Sequence, residues 1–164
     1  MNKQLTDEMF HMALLNEDEL GSVIRVHLHV EYHINEILNI LTPYPDDLKP
    51  LNLDYDGKVN LICALGVKTE YKTILSVLGN MRNKFAHNPF YKINKSEINN
   101  LYKALSEKDK VILQKAHEET RNQLQFDKVK PYKDLQPREK FILIAVVIRN
   151  IVIGIRNELT LKSG

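Results

Sequence analysis

Residues 80 to 89 read NMRNKFAHNP, and this short stretch holds a guanidinium (Arg82), three primary amides (Asn80, Asn83 and Asn88), an ammonium (Lys84) and an imidazole (His87). A guanidinium is a fixed cation that grips oxyanions in a forked geometry. An imidazole is the side chain whose ordinary proton affinity lies closest to neutrality. Together they suit charge stabilisation coupled to proton transfer.

The spacing places these groups on one predicted helix, opened near Glu70 and closed by Asn88-Pro89. At 100° per residue, Ile74, Leu78, Met81 and Phe85 fall in one apolar stripe that must face a core. Ser76, Asn80, Asn83 and His87 fall on the opposite side. A face that only needs water normally carries Lys and Glu, whereas this one is short, neutral and hydrogen-bonding. It suits a surface that meets a ligand or a partner subunit; a helix face that is merely polar is the plainer alternative. Asn83 shares the His87 face at i and i+4. Arg82 lies about 140° away from His87 on a regular helix. Three arrangements reconcile the two: Arg82 reaches round, the helix unwinds before Pro89, or each residue works with another subunit. A cation at a helix C-terminus is favoured by the helix dipole, which suits a proton-transfer residue there.

The elements that position this helix are themselves helical in pattern. Helices are predicted after Thr6-Asp7, over 19–41, up to Gly66, from Ser96, from Ser106 to about 123, and from Pro137 to about 159. Ser106 with Asp109 forms a capping arrangement, and Pro137 suits a first turn. Residues 42–56, with Pro43, Pro45 and Pro50, are expected to be a loop, and 126–137 a Lys- and Pro-bearing connector. Alternating strand patterns closed by hairpin turns do not occur. The reading is an all-α bundle of six or seven helices in a single domain, 1–164, with the last helix apolar nearly all round and therefore central.

Composition narrows the function. The 164 residues are 43% hydrophobic and 27% charged, with a net charge of +2. That balance is ordinary for a globular chain and too small to hold nucleic acid by bulk charge, so any such binding needs a local patch. The single cysteine, Cys63 in an apolar run, cannot form an internal disulfide and reads as a small hydrophobe. The N-terminal residues lack the apolar core of a signal peptide. The segment FILIAVVIRNIVIGI is interrupted by Arg149 and Asn150, short of the roughly 18–20 apolar residues of a membrane span. A cytoplasmic protein without a membrane partner is expected.

Further polar groups have structural readings. On the second helix the seam is Val23, Val30, Ile34, Ile37 and Leu41, with His27 and Glu31 half-buried at its margin. A half-buried Glu31 needs a partner; His27 and, from the neighbouring helix, Arg82 are the candidates, with Arg82 the sharper. His29, His33 and Glu36 are expected on an outward face, where His29-x3-His33 lacks a third metal ligand. Arg149 and Arg156, seven apart, read as structural charges or a helix–helix contact. Lys128, Lys130 and Lys133 around Tyr132 read as a solvated linker, with contact to a nucleic-acid backbone the lesser alternative. His11 and His117 are isolated.

The stretch RNKFAHN resembles the R-x4-6-H motif of the HEPN superfamily, as Arg82-x4-His87 with the polar Asn83 after the arginine. DGKVNLICALGV, YKTILSVLGNMRNKFAH and HLHVEYHINEIL resemble the lead-in to that motif and the long preceding helix, including in the mannitol-repressor-like branch. The resemblance covers roughly residues 20–90. It implies a metal-independent, cofactor-free endoribonuclease of toxin or defence type, in which two subunits bring two motifs into one cleft. By that analogy His87 is the general acid or base, Arg82 stabilises the phosphorane and Asn83 positions the phosphate or the histidine. Glu31 and His27 would orient the motif, and Asn80 and Lys84 would contact substrate. The nucleophile would be the RNA's own 2′-OH. A homodimer, RNA and a cognate antitoxin or regulatory protein are the implied partners. Toxin members often place a tyrosine two residues after the histidine; here that position is Pro89, and the nearest tyrosine is Tyr91, which removes the usual acceptor for silencing by nucleotide addition. The alternative the resemblance allows is a non-catalytic, mannitol-repressor-like transcriptional regulator or protein-interaction module.

Overall fold

The computed structural model describes residues 6–88, 90–123 and 129–163. Their order is α1 (Asp7–Leu15), α2 (Glu19–Leu41), a 3-10 turn (Pro45–Leu51), α3 (Tyr55–Ala64), α4 (Glu70–His87), α5 (Lys95–Ala104), α6 (Glu107–Gln123), a short 3-10 turn (Tyr132–Asp134) and α7 (Pro137–Ser163). The all-α class and the helix count match the expectation from periodicity.

Local chemistry fixes the boundaries. Side chains of Thr6, Asp18, Asp54 and Asn94 accept hydrogen bonds from the first-turn amides of α1, α2, α3 and α5, satisfying donors that have no partner inside the helix. Ser106 does the same for α6, accepting from the Asp109 amide at 3.1 Å and donating to the Asp109 carboxylate at 2.6 Å. The α5 cap is therefore Asn94, two residues before the expected Ser96. α3 is followed, after its cap at Leu65, by Gly66, whose φ of +113° is open to glycine and strained for other residues. That turn lets the Val67 amide reach back to the Ile62 carbonyl at 3.0 Å.

α7 is the central element, packed against α1, α2, α5 and α6, with its largest contact along α2. Phe141, Ile142, Ile144, Ala145, Ile148 and Val152 are buried along it. Each large apolar side chain withdrawn from water contributes about 1.5–3 kcal/mol. The α2 seam holds as read at Val23, Val30, Ile34 and Ile37. Leu41 is half-buried at its end, while Val26 and Leu38 join the core.

Three expectations are corrected by packing. The proline-rich segment is not a plain loop: Pro45–Leu51 winds into a 3-10 turn. His29, His33 and Glu36 do not form an outward stripe, because α1 and α7 cover that side of α2. His29 meets the Phe10 ring edge-on at 4.9 Å, and His33 is buried with Nδ1 3.5 Å from the Arg156 guanidinium. Burial, with Arg156, Arg149 and His29 nearby, pushes the His33 imidazole down to about 4, so it is neutral at pH 7. α7 also runs four residues beyond the expected end at 159.

Arg149 makes the expected interhelical contact. Its guanidinium donates to Asp7 of α1 and lies 5.1 Å from the Phe10 ring centroid. Lys128 lies outside the described residues, as does Pro89. Tyr132 is a packing residue rather than a solvated one: its ring is half-buried against Tyr102 and His117. Cys63 is half-buried, and burial pushes its thiol up, away from the reactive thiolate. Among the described residues, no helix is long and apolar enough to cross a membrane.

Candidate functional site

α4 presents three distinct faces. Ile74, Leu78, Met81 and Phe85 are buried in the core, as the stripe predicted. Leu75, Gly79 and Arg82, at steps of four and three, form a second face toward α3 and α2. Thr73, Val77, Asn80, Asn83, Lys84 and His87 form the third, which lines an open groove of about 740 Å³ against α5. Across that groove stand Glu97, Asn100, Lys103 and Ala104, the matching stripe of α5.

The second face depends on one glycine. The Cδ1–Cε1 edge of the Tyr55 ring of α3 meets the α4 backbone at Gly79, where a Cβ would sit 2.8 Å from both carbons. The Tyr55 hydroxyl donates to the Leu75 carbonyl at 3.0 Å, and the ring packs 4.4 Å from the His27 imidazole. This wedge sets α3, α2 and α4 at fixed separations. His27 is buried, and burial pushes its imidazole below the ordinary range. Glu31 opposes that shift, while the charges of Arg82 and Lys58 add to it.

Glu31 is not the partner of Arg82. Its carboxylate accepts from Lys58 of α3 at 2.7 Å, and the His27 Nδ1 is 3.7 Å from its other oxygen. The expected pairing fails because Lys58, one turn after the Tyr55 wedge, is delivered to Glu31 first. Arg82 is instead half-buried and donates to the Asn83 side-chain oxygen at 3.0 Å. Among the described residues no carboxylate lies within ion-pair distance of Arg82.

The third face carries its own charged cluster. Lys84 donates to the Glu97 carboxylate at 2.6 Å, and the Tyr91 hydroxyl donates to the same oxygen. Glu97 is buried at 6% exposure, so its charge is desolvated and held by these two donors. The bond to Glu97 also raises Lys84 above its ordinary value. The Tyr91 phenol is raised by burial and by Glu97, so it is un-ionised and occupied. His87, Asn80 and Asn100 are exposed, and their side chains make no hydrogen bond with any described residue. α4 stays regular to His87, with Asn88 capping it and accepting from the Phe90 amide at 3.0 Å. Phe90 itself is 88% exposed.

Within one chain, then, the predicted residues separate. Asn80, Asn83, Lys84 and His87 share the α4–α5 groove. Arg82, His27 and Glu31 share the α2–α3–α4 junction. The Arg82–Asn83 hydrogen bond joins the two. The helix does not unwind to bring His87 to Arg82, so of the three arrangements only side-chain reach or a second subunit remains. Among the described residues there is no cluster of three or more His, Cys, Asp or Glu side chains able to hold a metal ion.

Lys58, Glu97, Asn100 and Lys103 were not singled out from the sequence, and Tyr91 was read only as the tyrosine nearest to His87. Asn94-x-x-Glu97 was a legible capping pattern, but nothing local marks Glu97 as the buried anchor of Lys84. That role follows from how α5 packs on α4. Comparison with known protein families, with curated proteins and with solved structures finds no match to this chain.

Proposed function

We propose that this chain is a metal-independent endoribonuclease of the HEPN type, working as a homodimer. The observation that carries the reading is the state of Arg82. Its guanidinium is half-buried with no carboxylate partner among the described residues, while Glu31, the candidate expected on α2, is taken up by Lys58. A partly desolvated guanidinium free of a counter-ion is a strong ligand for a phosphate in transition. The exposed imidazole of His87 lies one turn beyond Asn83, which the guanidinium orients.

The chemistry runs without a metal. The imidazole of one copy of His87 takes the proton from a ribose 2′-OH, and that oxygen attacks the adjacent phosphorus. Arg82 and the Asn83 amide carry the charge on the phosphorane oxygens. The bond to the 5′ oxygen then breaks, and that oxygen receives a proton from the second copy of His87. The products are a 2′,3′-cyclic phosphate and a 5′-hydroxyl. Two copies are required because a single His87 cannot serve both oxygens in one step.

Cleavage of a mixed RNA in EDTA by wild type, Arg82→Ala and His87→Ala tests the reading. Cyclic-phosphate ends from the wild type and at least about hundredfold slower cleavage by His87→Ala are expected. Equal rates for all three chains overturn it. The separation of Arg82 from His87 on α4 favours a second reading. If no dimer closes over both faces, the amide-lined groove serves instead as the contact surface of a regulator or interaction module of the mannitol-repressor-like kind.

A further inference from the structure

The α4–α5 groove is longer than a catalytic constellation needs. From Thr73 to His87 is fourteen helical steps, or about 21 Å at 1.5 Å each. Neighbouring nucleotides in a stacked strand are about 3.4 Å apart, so the groove runs past several of them before it reaches the imidazole. Three primary amides stand among its ten lining residues, Asn80 and Asn83 on α4 and Asn100 on α5. The Asn83 oxygen is engaged by Arg82, which leaves its NH2 donors. Among the described residues nothing occupies the side-chain donors and acceptor of Asn80 or Asn100. Val77 and Ala104 supply the apolar surface between them.

We propose that this groove holds an unpaired segment of the RNA beside the cleaved bond and reads its bases through Asn80 and Asn100, with a preference for adenine. The inference rests on the ribonuclease reading and adds the substrate's form and sequence to it. A side-chain amide that presents donor and acceptor together matches the N6 and N7 edge of adenine. Reading base edges in RNA requires unpaired bases, because the deep major groove of an RNA duplex excludes side chains. A partner helix fits less well, since helix-binding grooves offer apolar anchors at helical spacing, and only Val77 and Ala104 are available here. Phosphate attraction alone is weak: Lys84 is neutralised by Glu97, and Lys103 is the other cation on the walls.

Fluorescence anisotropy with fully 2′-O-methylated octanucleotides tests this, because these lack the attacking hydroxyl and report binding without cleavage. The full chain should bind oligo(A) about a hundredfold tighter than oligo(U), the discrimination of two bidentate contacts at about tenfold each. It should bind oligo(A) tighter alone than annealed to its complement. Asn80→Ala and Asn100→Ala, both at exposed helix positions, should each weaken oligo(A) binding about tenfold and leave oligo(U) nearly unchanged. Equal affinity for single strand and duplex, unaltered binding by the Asn80→Ala/Asn100→Ala chain, or no binding of any octanucleotide overturns the inference. The two readings fail separately. Predicted binding without cleavage of natural RNA would remove the nuclease and keep the groove. Cleavage whose rate and sequence preference are unchanged in the double variant would remove the groove and keep the nuclease.

Discussion

Gly79→Ala places a methyl group where the Tyr55 ring already lies, 2.8 Å from two of its carbons. Ordinary carbon contacts are about 3.5–4.0 Å, so the ring must retreat by about an ångström. It has little room to do so. Its hydroxyl is tied to the Leu75 carbonyl at 3.0 Å, and His27 lies against its other side at a centroid distance of 4.4 Å. Overpacking of this kind costs about 1–3 kcal/mol, while alanine in a helix interior recovers about 1 kcal/mol relative to glycine. The expected net loss is about 0–2 kcal/mol in urea unfolding. A double-mutant cycle isolates the cause. In a Tyr55→Ala background the obstacle is gone, and Gly79→Ala should become stabilising, by up to about 1 kcal/mol. If Gly79→Ala destabilises both backgrounds equally, or stabilises the wild type, the wedge argument is wrong and the spacing of Arg82 from α2 has another cause.

The remaining predictions address other parts of the molecule. Gly154→Ala, where an added methyl meets nothing within 4 Å, should stabilise α7 by up to about 1 kcal/mol in the same assay. Lys58→Ala releases Glu31 to capture Arg82. RNA cleavage should fall about tenfold or more, and Lys58→Ala/Glu31→Gln should recover most of it; loss without recovery would argue against Arg82 being kept free by Lys58. His33 sits near 4 in the folded chain against an ordinary 6.5, so the unfolded chain binds the extra proton. Stability from this group is whole above about pH 6.5 and is lost as pH falls toward 4. The urea midpoint of His33→Gln should therefore drop less between pH 7 and pH 4.5 than that of the wild type.

The helical scaffold was legible because its signals are local. The four-residue spacing of Ile74 and Leu78, the caps at Thr6 and Ser106 and the apolar run of α7 each depend on neighbours within one or two turns. The candidate site was legible to nearly the same extent: the polar stripe is a helical periodicity, and Asn80, Asn83 and His87 of it line one groove, while Ser76 is not among the lining residues. What escaped the sequence is interhelical. No spacing rule pairs Glu31 with Lys58, 27 residues away, or sets Glu97 under Lys84. The outward placement of His33 failed for the same reason. An imidazole beside Glu36 reads as polar, and only the arrival of α7 with Arg156 makes that side of α2 interior.

The proposed active site is completed by two chains. Cleavage rate per chain, followed as the protein is diluted through its dimer dissociation midpoint, tests this most directly, with sedimentation in the same EDTA buffer reporting the assembly. The rate should fall in step with the dimer fraction. An isolated monomer that cuts RNA as fast as the dimer, or a stable dimer that does not cut it at all, would contradict the account.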